Sequence, residues 1–150
     1  MTQDYTLMKR IVVPLDGSDS SFSAAKYAIK LAKMANAEVL FMHAVVNPPY
    51  IEYRAAGQMI TTYIDEAKRQ AEMWYMKVGD LASKNGVKFS AETILDVVSA
   101  ADSIVNYAKS NKADLIVIGT KGRTGLKRIL LGSVASGVVT HASCPVLVTR

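Results

Sequence analysis

Hydrophobic positions along the chain fall into short apolar runs that alternate with segments of helical periodicity. In four segments apolar residues recur every three or four positions with polar residues between them, which predicts amphipathic helices. The intervening runs are continuous and rich in β-branched residues, which is typical of strands buried in a parallel sheet with helices on both faces. The five predicted strands are 11–15, 39–46, 87–95, 115–118 and 145–148. The pattern predicts an α/β fold in a single domain over residues 1–150.

Turn and capping residues mark the ends of these elements. Asp16-Gly17-Ser18 closes the first strand, and Ser20 or Ser21 is placed to cap the first helix. Asn85-Gly86 predicts a left-handed cap at the end of the long second helix. Gly132-Ser133 stands where the last helix begins. These signals support the alternation of strands and helices independently of the hydrophobic pattern.

Composition narrows the class of protein. The chain has 150 residues, of which 50% are hydrophobic and 21% are charged, and a domain of this size buries a core without disulfide or metal support. Its single cysteine, Cys144, excludes a disulfide framework, and His43 and His141 alone cannot complete a metal cage. No apolar run approaches the ~18 residues of a membrane span, and no secretory leader opens the chain. We therefore expect a cytoplasmic protein with no membrane segment.

The net charge of +5 is confined to the last quarter of the chain. Residues 1–114 carry 13 basic and 13 acidic side chains, whereas residues 115–150 carry five basic side chains and no acid. Four of the five lie between Lys121 and Arg128. This distribution indicates a local site for an anion, with a solvated basic loop as the alternative interpretation. Nucleic-acid binding is not favoured, because the basic segment has no aromatic residues on which bases could stack.

The same segment is rich in glycine. Gly119, Gly122, Gly125 and Gly132 punctuate it, and Ser133 follows at the predicted start of the last helix. Glycine lets backbone N–H groups approach an anion closely, and the first turn of a helix presents unpaired N–H groups and the positive end of its dipole. The Ser133 hydroxyl could be a helix cap alone or a cap that also donates to a phosphate. The combination predicts a polyphosphate site.

The common phosphate and hydrolase motifs are absent from the sequence. No stretch fits the P-loop pattern, and the dinucleotide fingerprint Gly-x-Gly-x-x-Gly does not follow the first strand. No nucleophile elbow accompanies Ser18, so acyl transfer with His43 and Asp16 is disfavoured. We interpret His43 as a packed residue at a strand end. For Asp16 two interpretations stand, namely contact with a nucleoside or capping of its own turn or of the first helix.

A different glycine spacing is present. Gly119, two residues, Gly122, nine residues and then Gly132-Ser133 resembles the loop of the ATP-binding branch of the universal stress protein family. The resemblance also includes Ile-Val-Val-Pro-Leu-Asp-Gly-Ser from Ile11, the His43-Ala44-Val45 end of the second strand and the closing Cys-Pro-Val-Leu-Val. It therefore covers nearly the whole chain.

This resemblance implies a Rossmann-like three-layer sandwich of the adenine nucleotide alpha hydrolase type, with a five-stranded parallel sheet in the order 3-2-1-4-5. It also implies bound ATP, with Mg²⁺ or Mn²⁺, and a regulatory or signalling role in stress response. One departure is Asp96-Val97-Val98, where members commonly carry Gly-x-Pro, and it bears on the wall of the base pocket. The residues that would contact the nucleotide are Pro14, Leu15, Asp16, Ala44, Gly119, Gly122, Gly132, Ser133 and Val134.

Two further expectations concern activity and partners. A slow metal-dependent ATPase or phosphotransferase is the alternative to a purely regulatory protein, although no general base stands out. The fifth strand contains Val146, Leu147 and Val148, and the implied order places it at a sheet edge without a protective charge. We expect this strand to pair with its copy in a homodimer, and we expect a further protein partner that the sequence does not identify.

Overall fold

The computed structural model describes residues 7–48, 57–120 and 130–150. Within these residues, five parallel strands form one sheet in the order β3-β2-β1-β4-β5, which confirms the order that the resemblance implies. Helices alternate with the strands along the chain. The elements are β1 (Arg10–Pro14), α1 (Asp19–Ala35), β2 (Glu38–Val46), α2 (Gly57–Lys84), β3 (Phe89–Val97), α3 (Ala100–Ser110), β4 (Leu115–Gly119), α4 (Ser133–His141) and β5 (Val146–Thr149).

Two apolar layers hold the helices on the sheet, one on each face. Along β1 the side chains alternate, so that Ile11 and Val13 pack with α1 and α2, whereas Val12 packs with α3 and α4. All three side chains are fully buried. Because both faces are covered, a central strand needs an apolar residue at every position. This is why the strands stand out in the sequence as continuous apolar runs.

The helix ends confirm some of the capping predictions and correct others. The cap of α1 is Ser18, whose Oγ accepts from the Ser21 backbone N–H at 3.1 Å, so the expectation of a cap at Ser20 or Ser21 was wrong. The reason is that the helix begins earlier, at Asp19, and buries Ser21 in its first turn. The left-handed residue predicted after α2 is present, since Gly86 has a φ of 68°.

The third strand begins two residues later than predicted. After α2 the chain turns back through a hydrogen bond from the Val87 N–H to the Ala82 carbonyl, and Val87 is buried without joining the sheet. Pairing with β2 then starts at Phe89, opposite Val39. Val87 was assigned to the strand because its side chain is apolar. Its N–H, however, bonds to the end of α2 and not to β2.

Helix α2 is the longest element described and has two parts with different surroundings. In its C-terminal half Val78 and Ala82 are buried in the core against the sheet. In its N-terminal half the Tyr63 hydroxyl donates to the Val46 carbonyl at the end of β2, at 3.2 Å. The helix therefore reaches the carboxyl ends of the strands. Neither α2 nor any other helix in the described ranges is long and apolar enough to cross a bilayer.

Candidate functional site

The order of strands in the sheet reverses between β1 and β4, which are direct neighbours. In open parallel sheets the connections on either side of such a reversal leave opposite faces, and a crevice opens at the carboxyl ends of the two strands. A cavity of about 480 Å³ lies at this position. Its volume falls in the range of pockets that hold small molecules and cofactors.

The residues predicted from the sequence converge on this cavity. Gly122 lies outside the described residues, and so do the basic positions from Lys121 to Arg128. The topology thus gathers residues from the ends of three strands and the start of one helix, although they are far apart in the sequence. The predicted residues that line the cavity are Pro14, Leu15, Asp16, Ala44, Gly119, Gly132, Ser133 and Val134.

The start of α4 forms one wall of the cavity. Four consecutive residues, from Gly132 to Ala135, line it. The first N–H groups of a helix have no acceptor within the helix, and they lie at the positive end of its dipole. The Gly132 N–H donates to the Thr120 carbonyl at 2.9 Å, which joins this wall to the end of β4. The arrangement suits an anionic group.

Ser133 does not cap α4. The capping position is Gly132, which has no side chain to bond with, and Ser133 is the first residue of the helix. Of the roles considered for Ser133 from the sequence, capping is therefore wrong. Ser133 nevertheless lies on the cavity wall, where its hydroxyl can donate to a ligand.

Close packing leaves no room for a side chain at Gly119. A Cβ at this residue would lie 2.3 Å from Ser20 Oγ and 2.7 Å from the Ser20 carbonyl oxygen, because the first turn of α1 crosses directly over the end of β4. Contacts shorter than about 3 Å are not tolerated in a close-packed interior. The sequence interpretation attributed this glycine to the approach of an anion, and the structure adds a requirement from the protein itself.

Asp16 holds the turn that follows β1 and faces the cavity. Its Oδ1 accepts from the Ser18 N–H at 2.9 Å and also from the Ser18 hydroxyl. Of the two interpretations from the sequence, the carboxylate thus fits capping of its own turn, and the cap of α1 is Ser18. Because Asp16 also lines the cavity, contact with a nucleoside is compatible with this role.

His43 packs near the end of β2, as predicted, but it is half-buried and also lines the cavity. Its Nδ1 lies 2.7 Å from the Leu15 carbonyl oxygen, so Nδ1 carries the proton and donates it. The imidazole also meets the Trp74 ring edge to face, with ring centroids 5.0 Å apart and planes at 86°. Local sequence patterns place Trp74 on the apolar side of a helix but do not reveal this contact.

The comparison with known proteins decides the family. The family model described as the universal stress protein family matches residues 8–150. The chain belongs to the universal stress protein family. A universal stress protein of Methanocaldococcus jannaschii is 45% identical over 146 residues, which are 96% of this chain and 83% of the relative.

Solved structures of universal stress proteins share the fold. UspA of Lactobacillus plantarum superposes with a TM-score of 0.87 at 26% identity, over 95% of this chain and 98% of that one. A universal stress protein solved in complex with cAMP superposes with a TM-score of 0.64 at 27% identity, over 97% of this chain and 98% of that one. The five-stranded sheet with helices on both faces is thus the fold of the family.

In this universal stress protein, helix α2 contributes cavity-lining residues that sequence reasoning missed. Tyr63, Glu66, Ala67 and Gln70 all face the cavity. A signal was present, since Gln70 recurs at helical spacing on the same stripe as Tyr63 and Ala67. By itself such a stripe indicates packing, because the sequence does not reveal that the helix reaches beyond the core.

The charges on the described lining are all negative. Asp16 and Glu66 carry them, and no lysine or arginine is among the described lining residues. The Glu66 carboxylate accepts two hydrogen bonds from Arg69, at 2.7 and 3.0 Å, and one from Gln70 at 3.0 Å. The bonds from Arg69 and then Gln70 hold the pKa of Glu66 below its ordinary value. The carboxylates after β1 and on α2 offer acceptors, whereas the start of α4 offers donors, so the lining is chemically asymmetric.

Proposed function

We propose that the protein binds ATP in this cavity and acts as a regulatory module whose partner interaction depends on the bound nucleotide. The observation that carries the proposal is the wall made by four consecutive residues at the start of α4, in a cavity that the end of β1 also lines. A helix N-terminus in a crevice at the carboxyl end of a parallel sheet is a recurrent site for phosphates.

The asymmetry of the lining orients the ligand in this proposal. Phosphates accept hydrogen bonds, so they belong beside the Ser133 hydroxyl and the first N–H groups of α4, from Ser133 to Ala135, which have no acceptor within the helix. A carboxylate only accepts, so Asp16 belongs beside the donors of a nucleoside, which are its ribose hydroxyls and its amino group. Pro14, Leu15 and Ala44 would complete the nucleoside side of the cavity, as the resemblance implies.

The charge of a triphosphate needs partners that the described lining does not contain. The basic positions from Lys121 to Arg128 follow Gly119 closely in the sequence, and we propose that they supply part of this charge. Within the described ranges, no three His, Cys, Asp or Glu side chains cluster in a way that could hold a metal ion. A Mg²⁺ or Mn²⁺ ion would therefore arrive with ATP and take phosphate oxygens as ligands.

The comparisons support a nucleotide as the ligand. One related structure contains cAMP, in a universal stress protein of the same fold. That molecule shares adenosine and one phosphate with ATP. The choice of the triphosphate for this chain rests on the glycine spacing and on the basic segment.

The direct test is a substitution at the start of α4. We expect Gly132→Val to weaken ATP binding at least about a hundredfold, because the isopropyl group would block the approach to the helix N–H groups. The fold should persist, since Gly132 has a φ of −58° and a ψ of 159°, which any residue adopts. Binding is measured by titration calorimetry in the presence of Mg²⁺.

Gly57→Val is the matched control, because a side chain at Gly57 has open space around it and Gly57 is not among the described lining residues. It should bind ATP as the unsubstituted protein does. Equal affinities of folded Gly132→Val and the control would refute the placement of the phosphates. If the unsubstituted protein neither binds added ATP nor releases a nucleotide on denaturation, the function itself is wrong.

We also propose that two copies pair through β5. The strand is at the end of the sheet as described, and its side chains at Val146, Leu147 and Val148 are only half-buried. The backbone carbonyls of Pro145 and Thr149 face β4, where they accept from Ile116 and Thr120. Because backbone groups alternate sides along a strand, those of Val146 and Val148 point outwards. An antiparallel copy of β5 would satisfy them.

A further inference from the structure

The turn between β1 and α1 rests on the indole ring of Trp74. Gly17 has a φ of +81°, and a Cβ at this residue would lie 2.4 Å from Cζ2 and 2.6 Å from Cε2 of the Trp74 ring. The ring therefore fills the space that a side chain at Gly17 would occupy. The backbone of the turn lies directly against a residue of α2 that is 57 positions away in the sequence.

A second support reaches the residue on the other side of Asp16. The Trp74 ring packs against His43 in an edge-to-face contact, and the His43 Nδ1–H donates to the Leu15 carbonyl at 2.7 Å. Edge-to-face pairs are a preferred arrangement of aromatic rings. Leu15 and Gly17 are thus both held, one through His43 and the other by the indole directly. Asp16 lies between these two fixed points.

We propose that Trp74 is a positioning residue for the nucleotide, which acts by fixing the direction of the Asp16 carboxylate. Asp16 lines the cavity, whereas Trp74 is not among the described residues that line it. The inference rests on the nucleotide-binding function proposed above. A carboxylate that is already aimed at the donors of a nucleoside binds them without the cost of ordering the turn. Helix α2 would in this way control affinity from behind the turn.

The first experiment measures the turn without any nucleotide. The Ser18 N–H donates to Asp16 Oδ1 at 2.9 Å, so its hydrogen exchange reports whether the turn is formed. Trp74→Leu should speed exchange at Ser18 by about tenfold or more relative to the unsubstituted protein. The Ile116 N–H of β4, which donates to the Pro145 carbonyl at 3.0 Å, serves as a reference away from the turn.

Val78→Ala is the matched control. Val78 lies one helical turn from Trp74 on α2 and is buried against the same layer, but no described contact links it to the turn after β1. This variant weakens the packing of α2 and should leave the exchange rate at Ser18 unchanged. Unchanged exchange at Ser18 in Trp74→Leu, or equal acceleration in Val78→Ala, would overturn the proposal.

The second experiment measures ATP affinity in a double-mutant cycle. Trp74→Leu should weaken binding by about tenfold in the unsubstituted background and by less than about threefold when Asp16→Asn is already present. Trp74→Phe, which keeps a ring against Gly17, should recover most of the affinity. Losses that simply multiply in the double variant would show that Trp74 acts through general stability, and would overturn its role in positioning Asp16.

The outcomes separate this inference from the proposed function. If the unsubstituted protein binds ATP and Trp74→Leu binds it equally well, only the inference fails. If the unsubstituted protein does not bind ATP, the proposed function fails together with the effect on affinity, and exchange at Ser18 still decides whether Trp74 holds the turn. Should Trp74→Leu not fold, His43→Ala removes the other support, and because His43 itself lines the cavity this variant is judged by exchange at Ser18 alone.

Discussion

Gly119→Ala tests whether the end of β4 tolerates a single added methyl group. The new Cβ would lie 2.3 Å from Ser20 Oγ, 2.7 Å from the Ser20 carbonyl oxygen and 2.8 Å from its carbonyl carbon. The hydroxyl can rotate away, but the carbonyl belongs to the backbone of the first turn of α1. Relief therefore requires that α1 and β4 move apart.

The contacts at Gly119 indicate how much folding stability the alanine variant should lose. Overfilling a packed site costs about 1–3 kcal/mol, and replacing glycine by alanine offsets about 0.4–1 kcal/mol by restricting the unfolded chain. Because the closest fixed atoms belong to the backbone, we expect the upper part of this range, a net loss of about 2 kcal/mol. For a chain of this length that loss corresponds to a Tm lower by about 4–8 °C.

The measurement is urea unfolding followed by circular dichroism, with Gly79→Ala as the control. A Cβ at Gly79 would lie 2.6 Å from the tip of the Phe89 ring, but that ring is 39% exposed and can swing outwards. Alanine is also favoured over glycine inside a helix by about 1 kcal/mol, so Gly79→Ala should be close to neutral. If Gly119→Ala is as stable as the unsubstituted protein, or loses no more than Gly79→Ala, the packing role of Gly119 is wrong.

Two further predictions concern pH and assembly. Burial, and then the Glu92 carboxylate, raise the pKa of Tyr107 from 10.0 to about 12. The folded protein therefore holds this proton more tightly than the unfolded chain, so the stabilisation is present below pH 10 and is lost as the pH rises through about 12. Denaturant titrations at high pH should show this loss, and an equally steep loss in Tyr107→Phe would contradict the assignment. Val148→Pro removes an outward N–H of β5 and no bond to β4, so if the proposed dimer forms through β5 this variant should sediment as a folded monomer. Dimers that persist would exclude pairing through the backbone of β5.

The sequence predicted the architecture well because burial on both faces of a sheet leaves a strong pattern. A continuous apolar run as short as Ile11–Val13, bounded by polar residues and a turn, is typical of a strand covered on both sides. The family resemblance also gave the strand order that brings the ends of β1 and β4 side by side. Details that depend on small displacements were less accessible. Ser18, Ser20 and Ser21 are equally good capping residues by type, and the choice of Ser18 follows from where the helix begins.

Contacts between distant elements could not be predicted from local patterns. Gly119 faces Ser20 only because α1 crosses the end of β4, and Glu66 lines the cavity only because α2 reaches past the core. For Gly119 the sequence suggested another role, the approach of an anion, and for Glu66 it suggested none. The true neighbours depend on how two helices lie on the sheet, and no short motif in the sequence encodes that placement.

Because an indole ring lies against the turn after β1, the fluorescence of the protein reports on that turn. Trp74 is the single tryptophan in the chain, and it lies against Gly17 and His43 rather than in a remote part of the core. Its emission spectrum will therefore follow the state of one corner of the molecule, while circular dichroism follows the helices as a whole. If tryptophan emission changes at a different denaturant concentration from circular dichroism, the turn that carries Asp16 opens separately from the sheet. This comparison needs no chemical label.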